Sequence, residues 1–473
     1  MSIQDLESLS AVFETWMPWR HPDSFGPWYK SLPTTEREVV GQLQGVLRDG
    51  SDRRHVVLIG LRRVGKTVAM QHTVVRLLNE GVLPARILWL RMDHPQVRNV
   101  DLGRLVQALV GPPPWSSVEP YYLFLDEVTA APQWDLWLKT FYDDGWPVRI
   151  VATSSATSTH RTVRTESGAG RWREVDLPPW LVHEYGATLG RRLPALAGDL
   201  HGVLLSQAEA KPSSDWDASA DVLSNLGGFA EGWPTGGDFR TAMVRAQDRL
   251  RGDIVHNAIY RDLMLAVGIE QPDKLEQLLT VLADQVAQIA SPSALGSSIG
   301  VKQPTVDRYL SHLEAIHLVF RLYNYTATEE AVQRRGRKVF LADNAVRNAV
   351  LGRVPWAVSD AERGHLRENQ VAVHLQVYAA RLGQRLYYWR EGKQEVDFVL
   401  PSPASPIAIE VASSSGHHHG GLKALVERRP EFAGRTWLTW PEAPWCPPER
   451  AEDGVGTCPV GWLLALAGRL ALG

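Results

Sequence analysis

One run of the chain has the residue types and spacing to hold a triphosphate. It reads Gly60-Leu61-Arg62-Arg63-Val64-Gly65-Lys66-Thr67-Val68 and follows the apolar Val56-Val57-Leu58-Ile59. An apolar strand, a turn bracketed by glycines and a helix opening on Lys-Thr make a P-loop. Glycine lets the backbone curl until its N–H groups point at phosphate oxygens, and the helix N-terminus adds partial positive charge. Residues Gly60, Arg62, Arg63, Val64, Gly65, Lys66, Thr67 and Val68 are therefore the expected nucleotide contacts. Lys66 would reach the β- and γ-phosphates, and the Thr67 hydroxyl would ligate Mg²⁺. ATP and Mg²⁺ are the cofactors this implies.

The other half of such a site is an apolar strand ending in an acid, and Tyr121-Tyr122-Leu123-Phe124-Leu125-Asp126-Glu127 fits. Asp126 is the expected metal-side carboxylate. Glu127 is the natural general base for an attacking water, because adjacent residues at a strand end project to different faces. Together the two motifs argue for hydrolysis as well as binding. A later apolar run, Val148 to Ser155, ends in Thr153, Ser154 and Ser155. A hydroxyl there, with Ser154 as the nucleotide-side candidate, either senses the γ-phosphate or caps the strand end.

These residues need a scaffold. Short apolar runs at 85–90 and 148–155 read as buried parallel strands, and helical stretches at 68–80, 102–110 and 134–142 separate them. Strands alternating with helices predict an α/β doubly wound sheet with ligands at the strand C-terminal ends.

The P-loop, the Leu125-Asp126-Glu127-Val128 strand followed by Gln133-Trp134, Ala152-Thr153-Ser154-Ser155, Gly170-Arg171, Leu177-Pro178-Pro179 and Glu184-Tyr185 form a recognisable set. The chain resembles, from about Arg37 to about Ala424, the prokaryotic AAA+ ATPases that carry a C-terminal restriction-endonuclease-like domain of unknown function. The resemblance implies an arginine finger after the sensor strand that acts on a neighbour's nucleotide or on the lid. Arg171 is the catalytic candidate and Arg261 the alternative; a surface or salt-bridging arginine is the plain reading of each.

At 473 residues the length accommodates several cores, and a net charge of −3 gives no global nucleic-acid signature. Cys446 and Cys458 offer no disulfide framework. The N-terminus lacks the features of a signal peptide, and the apolar stretch from Gly461 to Leu472 is too short to span a bilayer. The expectation is a cytoplasmic protein without membrane contact.

Past a polar segment at 206–220 that carries Pro212 and a glycine-bearing one at 227–237, a helical stretch from 239 to 269 reads as a lid behind the nucleotide. A helix-turn-helix pattern follows, with one helix at 293–301 and a second at 302–314, on which Val306, Leu310 and Leu313 share one face. That leaves Lys302, Gln303, Thr305 and Arg308 outward. Two strands, 319–325 and 338–342, flank a basic wing, Arg334-Arg335-Gly336-Arg337-Lys338. Lys302, Arg308, Arg334, Arg335 and Arg337 are the candidate DNA contacts, unless this winged helix serves only for packing.

The C-terminal third places Asp397 and Glu410 on paired strands, with Glu368 on a nearby helix. Three convergent carboxylates would hold a second Mg²⁺. This resembles the PD-(D/E)XK nuclease core, in which a lysine stands two residues after the last acid. Here that position is Ala412, so a degenerate fold used as a binding platform is expected unless Lys393 or Lys423 substitutes. His417-His418-His419 reads as a solvated loop.

The expected architecture is an AAA+ P-loop domain at 1–190, a helical lid at 191–280, a winged helix at 281–345 and a restriction-endonuclease-like domain at 346–473. The expected function is ATP hydrolysis driving conformational change, with DNA, a protein partner or further copies of the chain as partners. Two rivals remain: an ATP-controlled nuclease, and an occupancy switch that binds ATP without turnover.

Overall fold

The computed structural model describes residues 11–113, 115, 119–154, 170–206, 214–230, 233, 239–263, 269–326, 336–354, 358–414 and 420–473. Ser155, Arg334, Arg335, His417-His418-His419, the segment 234–237 and the Arg261 side chain lie outside them. The chain divides into two compact units, Met1–Leu177 and Pro178–Gly473.

The first unit is built on a five-stranded parallel sheet in the order β2-β3-β4-β1-β5. The strands are β1 His55–Ile59, β2 Ile87–Arg91, β3 Tyr121–Asp126, β4 Val148–Ser154 and β5 Trp172–Asp176. β1 is buried along its whole length and β3 through Tyr122–Leu125, which explains their unbroken apolar sequence. β5 has no such signature. Arg173, Glu174 and Asp176 are exposed on it, and a charged edge strand discourages pairing with another chain. Helices α1 Pro22–Ser31, α2 Val39–Arg48, α3 Lys66–Asn79, α4 Leu102–Val110 and α5 Trp134–Asp143 accompany the sheet.

The order has one consequence for chemistry. β4 lies between β1, which feeds the P-loop, and β3, which ends in Asp126. Its register sets Leu58 beside Thr153, Ile59 beside Ser154 and Leu125 beside Ala152. The end of β4 is thus held between the phosphate loop and the acid.

The second unit contains an eight-stranded sheet, β13-β12-β11-β10-β9-β7-β8-β6. Its strands are β6 Ile289–Ala290, β7 Val319–Asn324, β8 Arg337–Leu341, β9 Tyr387–Glu391, β10 Gln394–Leu400, β11 Ile407–Val411, β12 Thr436–Trp440 and β13 Gly456–Pro459. Where a helix-turn-helix is expected lie two helices, α6 Pro292–Ile299 and α7 Gln303–Ala315, with Gly300 left-handed between them (φ 74°). The long α8 Asp360–Arg381 and α9 Val460–Leu472 join Phe398, Ile409 and Trp437 in the main apolar cluster.

This arrangement differs from the four expected domains in three places. Residues 178–190 fall in the second unit, because Leu181, Val182 and Tyr185 bury in its core and Val182 N donates to His374 Nε2 at 3.0 Å. Trp216 and Leu223, from the span 191–280 read as a lid, are buried in that same core. The segments 281–345 and 346–473 share one sheet, since β7 pairs in parallel with β9 through Tyr323 with Tyr387 and Asn324 with Tyr388. The Asn324 amide locks that seam, donating to Arg390 O and accepting from Arg390 N at 3.0 Å each.

Candidate nucleotide-binding and catalytic site

The phosphate loop begins where only glycine fits. At Gly60 (φ 155°) a Cβ would stand 2.4 Å from Leu177 O, and Leu177 N donates to Ile59 O at 2.7 Å. Gly65 caps α3 in the left-handed region (φ 98°), and Arg63 is also left-handed (φ 66°), a conformation that costs a non-glycine residue of order 1 kcal/mol. The curled backbone this produces is the one a phosphate requires.

Lys66 opens α3 and is only 6% exposed. Its Nζ donates to Gly60 O at 2.8 Å and Leu61 O at 2.9 Å, so a buried charge is held against the loop's own carbonyls. Arg37, which the sequence did not single out, is buried and donates from Nη1 to Val64 O at 2.9 Å. An isolated arginine outside the motif gives no local signal of such a contact.

Asp126 ends β3 among hydroxyls. Thr67 Oγ1 donates to its carboxylate, 3.1 Å from either oxygen, and Thr153 Oγ1 donates to Oδ1 at 2.7 Å. Burial raises the Asp126 carboxyl above its ordinary range, the Thr153 hydrogen bond opposes that, and the neighbouring Glu127 charge adds to it. A Mg²⁺ ion beside Thr67 and Asp126 would supply the positive charge this carboxylate is short of, so the residues fit the ion. Glu127 leaves the strand through a left-handed turn (φ 53°), and its N–H donates to Thr153 Oγ1 at 2.9 Å. Thr153 therefore ties the two acids together. Ser154, as fully buried as Thr153, follows it at the end of β4.

Arg171 sits elsewhere. Its carbonyl accepts from His55 N at the start of β1, and its Nε donates to Asp143 at 2.8 Å. That is the N-terminal edge of the sheet, roughly 13 Å of strand from the P-loop edge. The Asp143 ion pair and the bond to His55 N thus hold Arg171 at the sheet edge opposite this chain's own P-loop, and the expected action on a neighbour's nucleotide is a separate question of assembly.

The acids of the second unit converge differently from expectation. Glu368 and Asp397 do meet, but on Lys338 of β8: its Nζ is 2.9 Å from Glu368 Oε1, 3.1 Å from Asp397 Oδ1 and 2.6 Å from Glu395 Oε1. Glu410 is buried on the neighbouring strand, and Val411 N donates to Asp397 Oδ2 at 3.0 Å. Among the described residues no group of three or more His, Cys, Asp or Glu is arranged to hold a metal, which corrects the expected second Mg²⁺ site at Asp397, Glu410 and Glu368. The reason is a lysine from a distant strand, which the sequence placed in a basic wing. Lys423 pairs with Asp453 at 3.4 Å, and Lys393 is exposed.

At the N-cap of α7 and on α7, Lys302 and Arg308 are exposed and line an open cleft with Thr305, Tyr309, His312 and Glu270. Arg337 is not available in the same way. Its Nη1 pairs with Asp307 Oδ1 at 2.9 Å, and its guanidinium lies over the Tyr323 ring at 5.4 Å. The basic wing thus contributes one described arginine, and that one serves packing.

Residues 52–186 match the family model of an AAA domain, and residues 232–356 and 363–438 match two models described as domains of unknown function. An uncharacterized protein of Methanocaldococcus jannaschii is 24% identical over 390 residues, 79% of each chain. Another, from Haemophilus influenzae, is 22% identical over 75% of this chain and 82% of its own length. Among solved structures, Cdc6p from Pyrobaculum aerophilum covers 68% of this chain and 96% of its own at 14% identity and a TM-score of 0.26. AMPPCP-bound DnaA from Aquifex aeolicus covers 60% and 89% at 14% and 0.25. Among the described residues no helix is long and apolar enough to cross a membrane.

Proposed function

We propose that the chain is an AAA+-type ATPase that binds ATP and Mg²⁺ at the Gly60–Val68 loop and hydrolyses ATP with Glu127 as general base. The observation that carries this reading is the Thr67–Asp126–Thr153 hydrogen-bonded row, set beside the buried Lys66 and leading directly to Glu127. Each member has a chemical task. The loop N–H groups and Lys66 bind the β- and γ-phosphates; Thr67 and Asp126 hold the ion; Thr153 fixes both acids. Bound Mg²⁺ supplies Lewis acidity at the phosphoryl oxygens. Glu127 takes a proton from the attacking water, which an amide in its place cannot do.

Turnover would drive a conformational change that the second unit passes to a partner. Exposed Lys302, at the N-cap of α7, and exposed Arg308, on α7, line one cleft and favour DNA as that partner, through phosphate contacts. The region around Asp397 and Glu410 serves in this reading as a nuclease-like platform without cleavage chemistry. The test is ATP turnover by purified protein. Glu127→Gln should keep ATP binding and lose nearly all hydrolysis, whereas Lys66→Ala should lose binding itself; wild-type turnover by Glu127→Gln would remove Glu127 from the role.

A further inference from the structure

We propose that the Lys338 ammonium is the resident cation of the Glu368–Glu395–Asp397 cluster and keeps divalent metal out of it. The inference is independent of the ATPase reading. Three carboxylates from two elements, α8 and β10, point at one nitrogen on β8, with oxygens at 2.6–3.1 Å. The Lys338 side chain is 4% exposed. Its remaining surroundings include the Tyr388 ring, whose centroid is 5.9 Å from Nζ and presents a further electron-rich face to the charge.

The backbone around the cluster is fixed independently of these charges. Asn369, the neighbour of Glu368, accepts from Leu341 N at 2.9 Å and donates to Leu341 O at 3.2 Å, pinning α8 to the end of β8. Tyr388 Oη donates to Gly336 O at 2.5 Å and pins the start of β8 to β9. Lys338 lies between the two pins, so its side chain is delivered to the acids by construction.

Charge and size then decide what the cluster can accept. Mg²⁺ draws carboxylate oxygens to about 2.1 Å, a position incompatible with an ammonium already bonded to the same oxygens. The three carboxylates outweigh the cost of burying Lys338 and hold it charged. A divalent ion would have to displace the ammonium from all three carboxylates to reach their oxygens.

The test is a Mn²⁺ titration followed by electron paramagnetic resonance, on the nucleotide-free full chain carrying Thr67→Ala to weaken the P-loop ion site. With Lys338 present, no Mn²⁺ binding should depend on Asp397. Lys338→Met should gain one site at least tenfold tighter than any binding in its parent, and Asp397→Asn should remove it. Lys338→Gln, a neutral polar replacement, serves if the methionine variant does not fold by circular dichroism. Two results overturn the proposal: a Mn²⁺ site in the Lys338-containing chain that Asp397→Asn abolishes, or a folded Lys338 variant that gains none.

Discussion

Thr153 donates to the Asp126 carboxylate at 2.7 Å while accepting the backbone N–H of Glu127 at 2.9 Å, so one hydroxyl on the inserted strand holds one acid of the proposed active site by its side chain and the other by its main chain. Its effect on catalysis should be felt through those acids. Thr153→Ala should lower kcat by about tenfold to a hundredfold, the range in which misplacing a catalytic group acts, with a smaller change in KM for ATP. Thr153→Ser should restore most of the loss. Steady-state ATPase kinetics on the three proteins check this; an unchanged kcat in Thr153→Ala would confine the residue to strand capping.

The exposed pair Lys302 and Arg308, at the N-cap of α7 and on it, makes a second prediction. If Lys302 and Arg308 meet DNA phosphates, replacing both with alanine should weaken duplex binding about equally for different sequences. It should also make the salt slope shallower by about two units. Arg337→Ala should instead lower stability, because its partners are Asp307 and the Tyr323 ring. Fluorescence anisotropy at several salt concentrations separates these outcomes, and identical curves for wild type and the double variant would leave α7 as a packing element.

The region of Asp397, Glu410 and Ala412 yields a third. The purified protein should not cleave DNA or RNA in Mg²⁺, with or without ATP, and Ala412→Lys should restore traces at most while Lys338 remains among the acids. Robust wild-type cleavage that vanishes in Asp397→Ala and Glu410→Ala would make an ATP-controlled nuclease the better reading.

A fourth concerns acid. Burial, aided by the charges of Arg149 and Arg53, lowers the His55 imidazole to about 3. A depressed folded-state value means the neutral ring contributes stability that is complete above about 6.5, its ordinary value, and is lost as pH falls toward 3. Between those limits β1 should lose up to about 1.4 kcal/mol per pH unit from this group. His55→Leu should flatten that part of the profile. Hydrogen exchange of the 55–59 peptide, corrected for intrinsic rates, measures it; parallel profiles would exclude His55.

Much of the first unit was legible because its strands are buried on both faces and read as apolar runs. The P-loop and Asp126–Glu127 stand where the sequence put them, at the ends of β1 and β3. β5 escaped because Trp172-Arg173-Glu174-Val175-Asp176 is a charged edge, and edge pairing leaves no apolar trace. Which sheet edge Arg171 occupies was not legible either, because distance along the chain from the motifs says nothing about it. In the second unit, the acids were visible but their counter-ion was not. Lys338 reaches Glu368 and Asp397 from a strand whose local sequence resembles a basic wing, and only the shared sheet reveals the meeting.

The close fit between Gly60 and Leu177 has a mechanical meaning. The first unit ends at Leu177, whose N–H is bonded to Ile59 O and whose carbonyl blocks any side chain at Gly60. The covalent exit toward Pro178 therefore leaves from the root of the phosphate loop. A shift of the loop at Gly60 would therefore press first on the main chain of Leu177. A substitution that loosened this fit would be expected to uncouple nucleotide state from the rest of the chain while sparing Lys66, Asp126 and Glu127 themselves.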